Sequence, residues 1–121
     1  MARLGELEQQ VMEILWARPG TALTGREVSA QLPEHAYTTV LTILGRLERK
    51  GFVSRERVST VHRFSATATR ESYVAELMQE ALSATSDRSA ALVRFAETVS
   101  GPEARVLRDA LTRLRSKRRS R

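Results

Sequence analysis

The sequence has 121 residues, of which 41% are hydrophobic and 28% are charged, with a formal net charge of +6. This size fits one compact domain or two very small ones, and the composition is typical of a globular protein. No apolar run approaches the roughly 18 residues of a membrane helix, and no basic and apolar leader begins the sequence, so we expect a cytoplasmic protein without a membrane partner. There is no cysteine, which excludes disulfides and thiol chemistry, and with only two histidines we expect no metal site and no cofactor.

The positive charge is unevenly distributed along the sequence. Residues 113–121 contain six basic residues and no acidic one, which equals the whole net charge. Residues 35–70 contain seven basic and two acidic residues, and the segments on either side are mildly acidic. A localised positive segment favours an anionic partner such as nucleic acid, although an arginine-rich composition alone would also produce it.

Hydrophobic periodicity predicts two helices at the start of the chain. The first spans residues 4–17, ends at Pro19-Gly20, and has an apolar face made of Leu4, Leu7, Val11, Ile14 and Leu15. We expect Trp16 in the core, packed against the third helix. The second helix begins at Thr24–Glu27, which has the T-x-x-E spacing of a capping box, and runs to Leu32.

A third helix over residues 36–50 has the clearest pattern, with Gly51 as its C-terminal cap. Its apolar stripe is Val40, Ile43, Leu44 and Leu47. Two β-prone stretches follow at 52–55 and 61–65, and the polar residues 56–60 can form the turn between them. Three helices and a hairpin in this order predict a winged helix-turn-helix domain over residues 1–68.

Residues 69–115 repeat the amphipathic helical pattern three times. Their apolar stripes are thin for burial within one chain, so we predict a dimerisation region, although the helices could instead fold back on their own chain. The predicted interface residues are Val74, Leu77, Met78, Leu92, Phe95, Leu107, Leu111 and Leu114. Residues 116–121 are predicted to be a disordered basic tail. The predicted fold is therefore mainly α with a small β-hairpin wing, namely an N-terminal winged helix-turn-helix followed by a C-terminal helical dimerisation region.

The exposed face of the third helix has the side chains that a DNA-reading helix needs. Threonines offer hydroxyls and methyls to base edges, and arginine and lysine meet phosphates or guanines. The candidate DNA-binding residues are Tyr37, Thr38, Thr39, Thr42, Arg46, Arg49 and Lys50, together with Arg57 and Arg63 in the wing. Arg55 and His62 belong to the same basic hairpin, but a lone histidine on a short strand is more often solvated. An ordinary solvated helix face would have a similar composition.

Two segments, LGELEQQVMEILW at 4–16 and AYTTVLTILGRLERKGFV at 36–53, carry a family resemblance. The chain resembles the BlaI/MecI/CopY family of bacterial winged-helix repressors, and AALVRFAETVSGPEARVLRDAL at 90–111 is similar to that family's dimerisation region. The resemblance implies a homodimer that sits on a dyad operator and blocks transcription. By position, it implies that the residues reading the operator are Thr38, Thr39, Thr42 and Arg46, with Arg63 in the wing.

The sequence departs from the family pattern in two ways. The copper-responsive branch has a C-terminal cysteine cluster, and this chain has no cysteine, which excludes copper sensing by that route. The antibiotic-responsive branch is inactivated by a sensor protease that cuts an Asn-Phe bond in the dimerisation region. The matching bond here, Arg94–Phe95, is the candidate cleavage site.

These observations lead to one hypothesis and one alternative. We expect a homodimeric transcriptional repressor that binds a palindromic double-stranded DNA operator through the helix at 36–50 and the wing at 52–65. The alternative is a winged-helix protein-interaction module without sequence-specific DNA binding, which should carry apolar groups on the exposed face of the third helix. We expect no enzyme, because the sequence has no nucleophile–base pair, glycine-rich phosphate loop or clustered carboxylates.

Overall fold

The computed structural model describes residues 3–119, which form six helices and one three-stranded sheet. In chain order the elements are α1 Glu6–Trp16, β1 Leu23–Thr24, α2 Gly25–Ala30, α3 Tyr37–Lys50, β2 Val53–Val58, β3 Val61–Ala66, α4 Arg70–Leu82, α5 Arg88–Ala96 and α6 Gly101–Arg119. The chain divides into two compact units, the first ending at Glu80 and the second beginning at Ala81. The order of the first six elements confirms the predicted winged helix-turn-helix fold.

Local capping fixes the starts and ends of the helices in the N-terminal unit. The predicted capping box of α2 is present, since Thr24 Oγ1 accepts from the Glu27 N–H at 3.1 Å and Glu27 Oε1 accepts from the Thr24 N–H at 2.8 Å. The helix α3 ends where predicted, at Gly51, whose φ of +87° is left-handed backbone that glycine adopts without a steric penalty.

The sheet differs from the predicted hairpin in two respects. The strands β2 and β3 are longer than predicted, and the turn between them is Ser59–Thr60 instead of residues 56–60. Glu56, Arg57 and Val58 continue the ladder because their side chains are exposed, so the strand extends without burying charge. The short strand β1 pairs antiparallel with β3 at Phe64 and Arg63, giving the order β1-β3-β2. Two residues are too few for an alternating pattern, which is why the sequence did not predict β1.

The core of the N-terminal unit lies between α1, α3 and the sheet. Its fully buried side chains include Val11 and Leu15 from α1 and Leu44 and Leu47 from α3. The predicted apolar stripe of α3 is therefore confirmed.

Trp16 is buried in this core, as predicted, and it also contacts the start of α4. Its indole Nε1 donates to the Ala68 carbonyl at 3.2 Å, and its ring lies 5.6 Å from the Tyr73 ring, whereas we expected α3 to be its partner. The Tyr73 hydroxyl in turn accepts from the Leu4 N–H at 3.1 Å. The first turns of α4 are thus attached to α1, and α4 begins inside the N-terminal unit.

The C-terminal unit contains α5 and α6. The predicted capping box before α6 is present, since Ser100 and Glu103 exchange side-chain and backbone hydrogen bonds of 3.0 and 3.2 Å. No side chain of the described helices α5 and α6 is buried within the single chain.

The basic segment at the end of the chain differs from the prediction. Residues 116–119 continue α6, where we expected a disordered tail, and residues 120 and 121 lie outside the described part of the chain. Arginine and lysine are good helix formers, and cations are favourable at the negative end of the helix dipole, so the helix extends through them. Within residues 3–119, no helix combines the length and the apolar character that crossing a membrane requires.

Candidate nucleic-acid interface

The outer face of α3 is polar and accessible along its length. Thr38, Thr39, Thr42, Arg46 and Arg49 are all exposed. The Thr42 hydroxyl donates to the Thr38 carbonyl at 3.0 Å, which leaves its lone pairs and its methyl group directed away from the helix. A row of hydroxyls and methyls with arginines toward the C-terminal end can contact both base edges and phosphates.

One flank of α3 packs against α1, and the predicted DNA-binding residue Lys50 lies there. Its Nζ is 2.8 Å from Glu8 Oε1 and 3.5 Å from the Arg3 carbonyl oxygen. Burial acts to raise the pKa of Glu8, but the hydrogen bond from the Gly5 N–H and the charges of Lys50 and Arg46 outweigh it and hold the pKa below its ordinary value. Lys50 is therefore committed to an internal ion pair, which the sequence did not predict.

The other flank of α3 carries Tyr37, Leu41 and Glu48 and lies beside α2 and the wing. A Cβ atom on Gly25, the first residue of α2, would lie 2.7 Å from Leu41 Cδ2, so only glycine allows α2 to approach α3 this closely without displacing Leu41. The next residue, Arg26, places its guanidinium 4.5 Å from the centre of the Tyr37 ring. Sequence reasoning missed Arg26, although its place directly after a capped helix start next to the reading helix was a usable signal.

The pairing register of the wing separates its cations onto two faces. Arg55 pairs with Phe64 and Arg57 with His62, so these four side chains share the face that continues from the core. Arg63 pairs with Glu56 on the opposite face, where its Nη1 lies 3.8 Å from Glu27 Oε1. The two wing arginines predicted for DNA binding, Arg57 and Arg63, thus lie on opposite faces of the hairpin.

A groove of about 620 Å³ separates α3 from the wing. Its apolar floor includes Leu41 and Phe64, and its rim includes Arg26, Arg55 and His62. Arg55 Nη2 lies 2.8 Å from Glu48 Oε1, and its guanidinium is 5.3 Å from the centre of the Phe64 ring. At the wing tip, Arg57 Nε donates to the Ser59 carbonyl at 3.1 Å. Concave shape with a cationic rim suits a sugar-phosphate backbone.

The comparison with protein families matches residues 4–113 to the family described as "Penicillinase repressor". This chain belongs to the penicillinase repressor family. Two similar curated proteins are both "Transcriptional regulator BlaI" of Mycobacterium tuberculosis, from strains CDC 1551 / Oshkosh and H37Rv. Each is 42% identical over 119 residues, which cover 94% of this chain and 86% of the relative.

Solved structures with the same fold have lower sequence identity to this penicillinase repressor family member. A MarR family protein from Bacillus stearothermophilus has a TM-score of 0.52 and 22% identity over 96% of this chain and 76% of its own. A point mutant of S. aureus MepR, which was solved bound to an oligodeoxyribonucleotide, has a TM-score of 0.52 and 18% identity over 94% of this chain and 79% of its own. These likenesses confirm the winged-helix fold.

The predicted interface residues of this family member fall into two groups. Seven of them are 44–57% exposed in the single chain, namely Val74, Met78, Leu92, Phe95, Leu107, Leu111 and Leu114. Leu77, in contrast, packs against the core of the N-terminal unit, because it lies one helical turn after the buried Tyr73. Leu77 therefore contributes to the winged-helix unit, not to an open face.

The candidate cleavage bond, Arg94–Phe95, lies in the last turn of α5. Arg94 Nη1 is 3.9 Å from Glu97 Oε1, and the Phe95 carbonyl accepts from Thr98 Oγ1 at 2.7 Å. Among residues 3–119, no cluster of three histidine, aspartate or glutamate side chains could hold a metal ion.

Proposed function

We propose that this protein is a cytoplasmic, non-enzymatic transcriptional repressor that binds a palindromic DNA operator as a homodimer. The observation that carries the proposal is the exposed face of α3, where threonines at 38, 39 and 42 precede Arg46 and Arg49. Short polar groups near the N-terminal end of a helix, with arginines further along, suit insertion into the major groove. Membership of the penicillinase repressor family supports the same function.

The groove beside α3 supports a phosphate contact from the same side. Arg26, seated on the Tyr37 ring, and the wing arginines Arg55 and Arg57 all border or extend the face that a DNA strand would follow. Phosphate contacts of this kind set the register of the protein on the duplex, while α3 reads the bases. A protein-interaction module would instead present apolar groups on α3, and the exposed face is polar.

The homodimer is supported by the apolar side chains of the C-terminal helices. Phe95, Leu107, Leu111 and Leu114 are each about half exposed in the single chain. A second copy can bury them, and a two-fold pair of chains presents two reading helices to the two half-sites of a palindrome. Cleavage of the Arg94–Phe95 bond by a sensor protease would disrupt this region and release the operator.

A selection experiment tests the proposal. The full chain is incubated with a pool of random-sequence duplexes, the bound fraction is amplified and sequenced, and the enriched duplex is titrated by fluorescence anisotropy. We expect an enriched sequence with two-fold symmetry and an affinity that falls steeply with salt. Failure to enrich any sequence, with no binding to duplex DNA even at low salt, would refute the proposal.

A further inference from the structure

The ion pair between Glu48 and Arg55 joins the reading helix to the wing at the edge of the groove. Glu48 Oε1 is 2.8 Å from Arg55 Nη2, and both side chains remain more than one third exposed. Arg55 also lies over the Phe64 ring, so its guanidinium is held at the groove rim from two sides. A partly exposed pair of this kind is weak, so a phosphate can replace the carboxylate at small cost.

Glu48 is the one acidic residue in the sequence of α3, where Arg46, Arg49 and Lys50 carry positive charge. Its carboxylate cancels the charge of Arg55 in the free protein. Non-specific DNA binding depends almost entirely on such cations, because phosphates are present in every sequence. An acid that occupies a groove cation therefore weakens binding to every duplex that does not bring a phosphate to the position of the carboxylate.

We propose that Glu48 is a specificity-determining residue, which keeps Arg55 occupied except on a duplex whose fit places a phosphate at its guanidinium. On the operator, α3 docked against its bases holds the adjacent strand in the groove, and Arg55 exchanges Glu48 for that phosphate. On other sequences the strand is not held there, and the ion pair persists. This inference rests on the proposed function, since it concerns the discrimination between DNA sequences.

The wing supplies a matched control in Glu56. This residue lies on the opposite face of the hairpin, paired across the strands with Arg63, and its side chain is exposed. Glu56→Gln changes the net charge by the same amount as Glu48→Gln without touching Arg55. Any effect of charge alone on DNA binding is therefore common to the two variants.

The experiment measures binding of the full chain to two labelled duplexes at several salt concentrations. One is the duplex enriched from the random pool, and the other has the same base composition in scrambled order. We expect Glu48→Gln to tighten binding to the scrambled duplex by about two- to fivefold. The log-log salt slope on that duplex should steepen by about 0.9, the value for one further phosphate contact. Affinity for the enriched duplex should change less, so the ratio of the two affinities falls.

Two further variants assign the effect to Arg55. Arg55→Met should weaken binding to the enriched duplex, and the double variant with Glu48→Gln should match Arg55→Met alone on both duplexes. Glu48→Ala, which removes the carboxylate and keeps a strong helix former, should reproduce Glu48→Gln. Thermal melting followed by circular dichroism checks that each variant is folded.

The outcomes separate the inference from the proposed function. If the wild type discriminates between the duplexes but Glu48→Gln behaves as Glu56→Gln does, or weakens binding to both duplexes, the role of Glu48 is refuted and the proposed function stands. If the wild type binds neither duplex, both are refuted.

Discussion

Glu8 Oε1 lies 2.8 Å from Lys50 Nζ, and this ion pair joins α1 to the last turn of α3. The Glu8 side chain is buried, with its Oε1 also accepting from the Gly5 N–H at 2.7 Å, while its Oε2 makes no hydrogen bond in the described structure. A buried carboxylate needs its partner, because the cost of an unpaired charge in the interior is high. The pair therefore fixes the angle at which α3 leaves the core.

Replacing Lys50 by Met should lower stability without changing the electrostatics of DNA binding. We expect the free energy of unfolding to fall by about 1–3 kcal/mol, because Glu8 loses its cation. The log-log salt slope of DNA binding should stay the same, since the ammonium is held by Glu8. Urea denaturation and salt-dependent anisotropy check the two expectations.

Arg49 is the matched control for Lys50. It is the neighbouring residue, carries the same charge and is exposed on the reading face. Arg49→Met should leave the stability unchanged and reduce the salt slope by about 0.9. A reduced slope in Lys50→Met instead would assign Lys50 to the DNA.

The lowered pKa of Glu8 predicts a loss of stability in acid. Because the pKa in the folded state lies below the ordinary value of 4.5, the unfolded chain binds a proton first as the pH falls. The stabilising contribution is complete above pH 4.5 and is lost as the pH falls toward the folded-state pKa. Urea denaturation between pH 6 and 3, as a rough range, should show a weaker pH dependence for Glu8→Gln than for the wild type. Identical pH dependence in the two proteins would contradict the ion pair.

The contact between Gly25 and Leu41 predicts coupling between α2 and α3. Gly25→Ala should cost about 1–3 kcal/mol, because the new methyl group would overlap Leu41 Cδ2. In a Leu41→Ala background the clash is absent, and the same change should be neutral or stabilising since alanine favours a helix over glycine. A double-mutant cycle of unfolding free energies measures this coupling. Additive effects would show that the two helices are not in close contact.

The sequence was sufficient to predict features that depend on local spacing. The bounds of α3, its apolar stripe, the cap at Gly51 and the capping box at Thr24 all follow from residues within one or two turns of each other. The wing was less predictable, because the face on which Arg63 lies depends on a pairing register that a two-residue turn sets. The Glu8–Lys50 pair joins residues 42 positions apart, and no local pattern connects them.

Exposure of the C-terminal helices predicts where a charge would prevent dimerisation. Leu111→Asp, on a side chain that is 57% exposed, should give a monomer whose winged-helix unit melts as in the wild type. Leu77→Asp should instead destabilise that unit by about 2–5 kcal/mol, because Leu77 packs against its core. Sedimentation and thermal melting of both variants distinguish the two effects. A dimeric Leu111→Asp variant would place the interface elsewhere.

The central claim is that the exposed face of α3 reads DNA, and one titration tests it most directly. The variant Thr42→Ala with Arg46→Ala removes two side chains from that face while leaving the buried stripe and the Glu8–Lys50 pair in place. Its affinity for the duplex enriched by the wild type is measured by fluorescence anisotropy, beside a circular-dichroism melt. We predict a folded protein that binds this duplex at least about 2 kcal/mol more weakly, since each lost base contact costs roughly 1–3 kcal/mol. A folded variant with wild-type affinity would contradict the claim.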